Sequence, residues 1–429
     1  MRNAAASAVT DRAVALPNLD TIIRGLLYVY IFSLPFKQLL FIERNGFLIL
    51  LALLVLWCAA NRRFFFTRTP LDVPLVAFVI WVGITVPFAT FPAYSFKEFG
   101  KLLQQGLIFY VVLFFFRDGL CRNRLLWALV GALFIVSAYG VEQFLEMLTG
   151  LRGLDQSGNP YLLESVMPGE VWLTTYLVLL APLSLSLAVF EQRRRLRAFY
   201  VITGCLALIC LLGTFSRAGL LALVCEIWAM AWLLSRRTAL RIAAGFSLLV
   251  VVAAGTLSYY DVRTIPGTSI HLRVGEGTFV HRLDIWKFSV TKLAAHPFVG
   301  IGYGKDNFKL VYGGLPEEVK PGRTSVYKVG THNTFLDIAL GTGIPGLVLF
   351  VWLLKRLLST VLSGFHGTED QAEKAIYLGV GVGVIGLVVR LLFDHMLIGT
   401  LALQFWVLVA LAMVVYTDRP VMEKAADAA

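Results

Sequence analysis

The chain has 429 residues, of which 58% are hydrophobic and only 15% charged, with a formal net charge of +11. This composition excludes an ordinary soluble globular protein and fits a chain that crosses a membrane many times. The basic residues are scattered over separate short turns, which argues against nucleic-acid binding and for attraction to anionic lipid headgroups.

A membrane helix needs roughly 20 largely apolar residues. By that ruler twelve spans are predicted, near 21–37, 46–60, 71–89, 102–116, 125–143, 170–191, 198–214, 217–234, 242–260, 333–354, 376–394 and 397–416. The stretch Thr214-Phe215-Ser216-Arg217 puts polar groups between the seventh and eighth. The expected fold is an all-α polytopic membrane protein, a single integral membrane domain over 1–429. Residues 1–19 lack the apolar core of a cleavable signal peptide, so the first span reads as an uncleaved anchor.

Lys and Arg set the orientation. Alternate turns carry Arg62, Arg63 and Arg68; Arg117, Arg122 and Arg124; Arg193, Arg194, Arg195 and Arg197; Arg236, Arg237 and Arg241; then Lys355, Arg356 and Lys374. These turns and both termini are expected in the cytoplasm. Cys58, Cys205, Cys210 and Cys225 fall in spans and Cys121 in a cytoplasmic turn, so no disulfide is expected in the outer part.

Residues 261–332, between the ninth and tenth spans, form one long outer loop, periplasmic in a bacterium. It holds ten Lys or Arg against six acids, a surplus that suits an anionic partner. Leu283, Trp286, Val290, Leu293 and Ala294 recur at helical spacing, predicting a helix from His281 to Ala295 that His296-Pro297 ends. A second short helix is expected after Gly304, with Phe308, Leu310 and Val311. Such a pair lies along the membrane surface or simply packs on the spans beneath.

His332 is the leading candidate for chemistry. Most lone histidines are structural, but this one stands at the start of a membrane helix, with Thr331 or Asn333 available as its cap. The positive helix end disfavours the imidazolium form, and a neutral imidazole is what a general base for a hydroxyl requires. Arg217 lies at an outer turn, where a snorkelling anchor is less expected. Its fork suits phosphate oxygens, which makes a lipid pyrophosphate a natural partner. Arg282 opens the predicted loop helix, where a guanidinium is unfavourable for the helix itself. With the free helix end it would hold a phosphate, or it is an ordinary solvated charge.

Arg390 and Asp394 lie four apart, on one helix face, and an intramembrane ion pair is a functional candidate beside its structural reading. The outer-loop pair Lys97 and Lys101 reads as interfacial. The chain has no Walker loop, dinucleotide-binding glycine pattern, zinc-protease motif or Asp-x-Asp. His271, His281, His296 and His332 lack metal-ligand spacing. No cofactor and no metal are expected. A lipid transporter is the alternative of another class, but the chain lacks an internal repeat and its polar candidates gather at one face.

Five stretches carry a resemblance, in order. They are Gly213-Thr214-Phe215-Ser216-Arg217-Ala218-Gly219-Leu220-Leu221-Ala222-Leu223, the helix from Arg282 to Trp286, Gly300-Ile301-Gly302-Tyr303-Gly304, His332-Asn333-Thr334-Phe335-Leu336 and Gly341-Thr342-Gly343-Ile344-Pro345-Gly346. Over roughly 205–355 the chain resembles the O-antigen ligase and polymerase superfamily. The resemblance implies a membrane glycosyltransferase of the GT-C type at the periplasmic face of a bacterial inner membrane. It implies an undecaprenyl diphosphate-linked O-antigen as donor, Arg217 and Arg282 on the donor pyrophosphate, and His332 activating the acceptor hydroxyl. Asp394 matches an acidic position near the end of the penultimate span; Asn333 and Arg390 are secondary candidates. Family members often carry Asn or His soon after a Pro near the sixth span. Here Val166-Met167-Pro168-Gly169-Glu170-Val171-Trp172 departs from that, and no role carries over. Among members, the single late loop, twelve spans and modest length favour a ligase acting on lipid A–core over a polymerase. The short tail after the last span counts against a protein O-oligosaccharyltransferase.

Overall fold

The computed structural model describes residues 17–151, 162–235, 277–315 and 330–418, with scattered positions between 237 and 252. The regular structure of these residues is helical. Helices α1 (Pro17–Ser33), α2 (Leu40–Asn61), α3 (Asp72–Thr85), α4 (Pro92–Phe115), α5 (Gly119–Leu148), α6 (Glu170–Phe190), α7 (Arg194–Gly213) and α8 (Arg217–Leu234) come first. Then follow α9 (Gly277–Ala295), α10 (Asn307–Tyr312), α11 (Thr334–Gly367), α12 (Gln371–Leu391) and α13 (Gly399–Asp418).

Nine of these helices, α2, α4 to α8 and α11 to α13, are long and apolar enough to cross a membrane among the described residues. This is a multi-pass membrane protein. The predicted spans near 21–37 and 71–89 are shorter as helices. Helix α1 ends at Ser33 after 17 residues, because the residue before Pro35 is pushed out of the helical region. Helix α3 gives way to a 3-10 turn over Val86–Phe88, which holds Pro87. The predicted span near 242–260 falls largely outside the described residues.

Helices α6, α12 and α13 are the most enclosed, and α2 the least. Helix α12 packs along α6 and α8. Gly379, Gly383 and Gly386 form the seam. A Cβ on Gly383 would come 2.5 Å from the Leu179 carbonyl oxygen, and one on Gly379 would come 2.6 Å from Leu183 Cα. Side chains at these positions would force α12 off α6, so the close approach that dispersion rewards in lipid depends on their absence.

Helix α11 is broken near its start, where Gly343 adopts φ 74°. Pro345 has no N–H to give to the Gly341 carbonyl four residues back. The loop after α9 supplies the missing bonds. Ile301 N–H donates to the Leu340 carbonyl (2.7 Å) and Gly302 N–H to that of Gly341 (3.0 Å). In return, Ile344 N–H donates to the Pro297 carbonyl (2.8 Å). Trp81 Nε1 donates to the Thr342 carbonyl at 2.8 Å. The carbonyls of Leu340, Gly341 and Thr342 and the N–H of Ile344 thus keep partners at the break, as a low-dielectric setting demands. The Gly-Ile-Gly-Tyr-Gly and Gly-Thr-Gly-Ile-Pro-Gly stretches are the two halves of one joint.

The Gly343→Ala variant should melt at a markedly lower temperature in detergent. It combines a left-handed φ with a Cβ 1.9 Å from the Phe298 carbonyl oxygen, a strain on the order of 1–3 kcal/mol or more. Gly131→Ala in α5, where nothing lies within 4 Å, should leave the melting temperature unchanged or raise it. Equal melting of the two variants would overturn the joint.

Candidate functional site

The loop helices build one wall of the site. Ile285, Ile301, Phe308, Tyr312 and Leu340 form a small core of their own. It seats α9 and α10 on the first turns of α11. Trp286 Nε1 on α9 donates to the Thr331 carbonyl (3.0 Å), next to His332.

His332 sits just outside α11, with φ 50°, a left-handed conformation costly for a residue with a side chain. The turn is held by the Thr331 hydroxyl, which donates to the Asn333 carbonyl (2.9 Å) and accepts from Asn333 N–H (3.2 Å). Asn333 is the N-cap: its side-chain oxygen accepts from Leu336 N–H at 3.1 Å. The capping predicted from sequence is therefore met by Asn333, which leaves His332 free of a helical role.

Three sequence candidates converge on the carboxylate of a fourth, Asp394. Asp394 follows the end of α12, and its Oδ2 lies 3.3 Å from Arg390 Nη2. Its Oδ1 lies 3.2 Å from His332 Nδ1 and 3.9 Å from Arg282 Nη2. The Thr334 hydroxyl donates to its backbone carbonyl at 2.8 Å. The Arg390 side chain is 1% exposed and also contacts the Thr175 hydroxyl of α6 (Nη2 at 3.3 Å). A buried guanidinium needs such partners, and a carboxylate beside it gains most where water is scarce. An ionised carboxylate only accepts, so the imidazole nitrogen facing Asp394 carries the proton. The other nitrogen, Nε2, is then the basic one, on a side chain 41% exposed.

The structure corrects the setting of Arg282. Helix α9 begins at Gly277, so Arg282 lies beyond the first turn rather than at a free helix end. The proposed joint anchor of guanidinium and helix terminus is absent; Arg282 works as a side chain alone, aimed at Asp394. Arg217 stands apart from these contacts. It is exposed at the first position of α8, which Ser216 caps through Gly219 N–H (3.3 Å). It belongs to the same end of the bundle, because Gly219 abuts Thr174, the neighbour of Arg390's partner Thr175.

Sequence reasoning missed a second pair. His395 Nδ1 lies 2.5 Å from Asp337 Oδ2, so the two segments exchange partners: His332 of the first meets Asp394 of the second, and Asp337 meets His395. The available signals were a single acid in the first turn of a membrane helix and a histidine beside Asp394. His395 also lines a groove of about 240 Å³ with Tyr94, Glu98, Trp172, Tyr303 and Asp306. Burial and the Glu98 charge hold the Tyr303 phenol well above the ordinary tyrosine range, so it stays a neutral hydroxyl. Among the described residues, no group of three His, Cys, Asp or Glu is arranged around a metal-sized space.

The arginine-rich turns lie at the opposite end. Arg24 Nε donates to the Phe115 carbonyl (3.0 Å), Arg117 Nη2 to Thr67 Oγ1 (2.5 Å), and Arg122 pairs with Asp418 at 3.5 Å. These contacts close the ends of α4 and α13, whose starts face the groove.

Fold and site define a multi-pass helical membrane protein with a polar, cation-rich cluster at one end. Residues 202–351 match the family model described as O-Antigen ligase, close to the stretch picked out by its motifs. A segment of 138 residues is 25% identical to a protein of Rickettsia bellii (strain RML369-C) described as "Putative polysaccharide ligase", covering 32% of this chain and 33% of that protein. The match therefore spans about a third of that relative's length. Arg217, Arg282, His332, Asn333 and Asp337 fall inside the family region; Arg390, Asp394 and His395 lie beyond it.

Arg390→Met should cost roughly 3 kcal/mol of stability, because it strips a poorly hydrated carboxylate of its buried partner. Adding Asp394→Asn should recover part of the loss in thermal unfolding. A double variant no more stable than the single would argue against the pair.

Proposed function

We propose that this protein is an O-antigen ligase. It would move O-antigen polysaccharide from undecaprenyl diphosphate to a sugar hydroxyl of lipid A–core, in lipopolysaccharide biosynthesis. The observation that carries the reading is the convergence of His332, Arg282 and Arg390 on Asp394, at the end of the bundle away from the arginine-rich turns. By the positive-inside rule those turns are cytoplasmic, which puts the cluster at the periplasmic face of the inner membrane. The family match supports a transfer between polysaccharide and lipid.

The proposed chemistry draws on this geometry. Asp394 orients the imidazole through Nδ1, and Nε2 accepts the proton of the acceptor hydroxyl. The hydroxyl oxygen attacks the anomeric carbon as the bond from that carbon to the pyrophosphate oxygen breaks. A single displacement of this kind inverts the anomeric centre. Undecaprenyl diphosphate leaves with the bonding electrons, and Arg217 and Arg282 meet its developing charge. The cleaved sugar–phosphate bond supplies the driving force, so no nucleotide is required, and the two guanidiniums take the charge-stabilising part that a metal ion would otherwise play. A cluster at one end, rather than at midplane, favours transfer at the surface over transport.

In a reconstituted assay, His332→Ala should slow transfer to lipid A–core by about 10²–10⁴-fold with donor binding retained. Transfer at the wild-type rate would remove His332 from the mechanism. Arg217→Ala and Arg282→Ala should each weaken binding of undecaprenyl diphosphate by about tenfold or more; unchanged affinity would sink the clamp. Chain lengthening on undecaprenyl diphosphate, in place of transfer to lipid A–core, would identify a polymerase.

A further inference from the structure

A cavity of about 640 Å³ between α2, α4 and the start of α13 adjoins the groove beside His395, and Lys101, Gln105 and Gly399 line both. One wall of this cavity is polar and rich in cations: Arg44, Lys97 and Lys101, with Glu43 among them. Glu43 is engaged by Gln104 Nε2 at 3.1 Å, and Lys101 by Glu98 at 2.6 Å. Arg44 and Lys97 make no ion pair or hydrogen bond among the described residues. The other wall is apolar, with Phe47, Leu48 and Leu403. Beyond it, Ile49, Leu51 and Val55 continue along α2 as exposed apolar surface.

Solitary snorkelling cations would lean singly toward the headgroup region. Here cations from two helices face one void, with an apolar track leading away. A small anion would leave the apolar wall unused, and a neutral lipid would leave the cations unmatched. The pattern fits a ligand with phosphate at one end and acyl chains at the other. The donor pyrophosphate is assigned elsewhere, to Arg217 and Arg282.

We propose that this cavity seats the phosphorylated headgroup of the lipid acceptor. Arg44, Lys97 and Lys101 hold phosphate, acyl chains follow α2, and the glycan end runs along the groove toward His395 and His332. This assignment rests on the ligase reading for its choice of lipid.

The test uses the full-length protein in neutral detergent, with lipid A carrying both phosphates as probe and its dephosphorylated form as control. Arg44→Gln combined with Lys97→Gln should raise the Kd for phosphorylated lipid A by at least about tenfold, and should leave undecaprenyl diphosphate binding within twofold. Arg44→Lys with Lys97→Arg should restore it. Dephosphorylated lipid A should bind wild type and the Gln variant with the same weak affinity. Equal Kd values for phosphorylated lipid A on wild type and the Gln variant would overturn the site. Displacement of the lipid by equimolar inorganic phosphate would also overturn it, as the mark of a free-anion site. The two readings fail separately. A wild-type protein that binds phosphorylated lipid A through Arg44 and Lys97 but transfers no glycan would refute the ligase and keep the site. Active transfer with equal Kd values would refute the site alone.

Discussion

The Asp394 carboxylate is the point on which the rest of the site depends. A charge at the end of an enclosed membrane helix is tolerable only when its partners are built in around it. Arg390 supplies the buried partner from the same helix and is itself held by Thr175 of α6. The remaining oxygen faces His332 and Arg282, from two other parts of the chain. One solvation problem therefore brings together α6, α9, α12 and the turn before α11. The placement of His332 follows, since its Nδ1 has a fixed acceptor and its other nitrogen faces outward. Polar groups that would each be expensive alone become affordable as a set, and the set has a direction.

Much of this was legible in the sequence, for definable reasons. The spans follow from long apolar runs, and the 390–394 pair follows from four-residue spacing on a helix. The loop helix follows from apolar recurrence, and its end from His296-Pro297. The cap follows from Thr331 and Asn333 flanking the start of α11, and Asn333 fills it. Motif order along the chain pointed to the family that residues 202–351 match.

Other features depend on contacts that no local pattern encodes. Asp337 reads as an ordinary acid in the first turn of a helix until α12 brings His395 beside it. Arg282 looked like the start of a helix because apolar periodicity begins near it, whereas Gly277 and Thr278 extend the helix backward without apolar signal. The glycines of the two Gly-rich stretches stand in the sequence only as parts of the family resemblance. Their role is to let main chain approach main chain across about forty residues of sequence. The cavity beside α2 was also out of reach, since Arg44 and Lys97 meet only in three dimensions.

The joint between the loop after α9 and the break in α11 has a consequence for how this architecture can vary. The bonds that set it are mainly main-chain bonds, and the approach they need leaves no room for a Cβ at Gly300, Gly302, Gly341 or Gly343, so only the residues between these glycines can change without moving the helices it links. Its length is not free. Removing or adding one residue between Pro297 and Gly302 would put every donor out of step with its carbonyl and carry Arg282 away from His332 at once. Divergent sequences built on this plan should therefore keep the glycines and the count of residues through the joint, even where the residues between them differ.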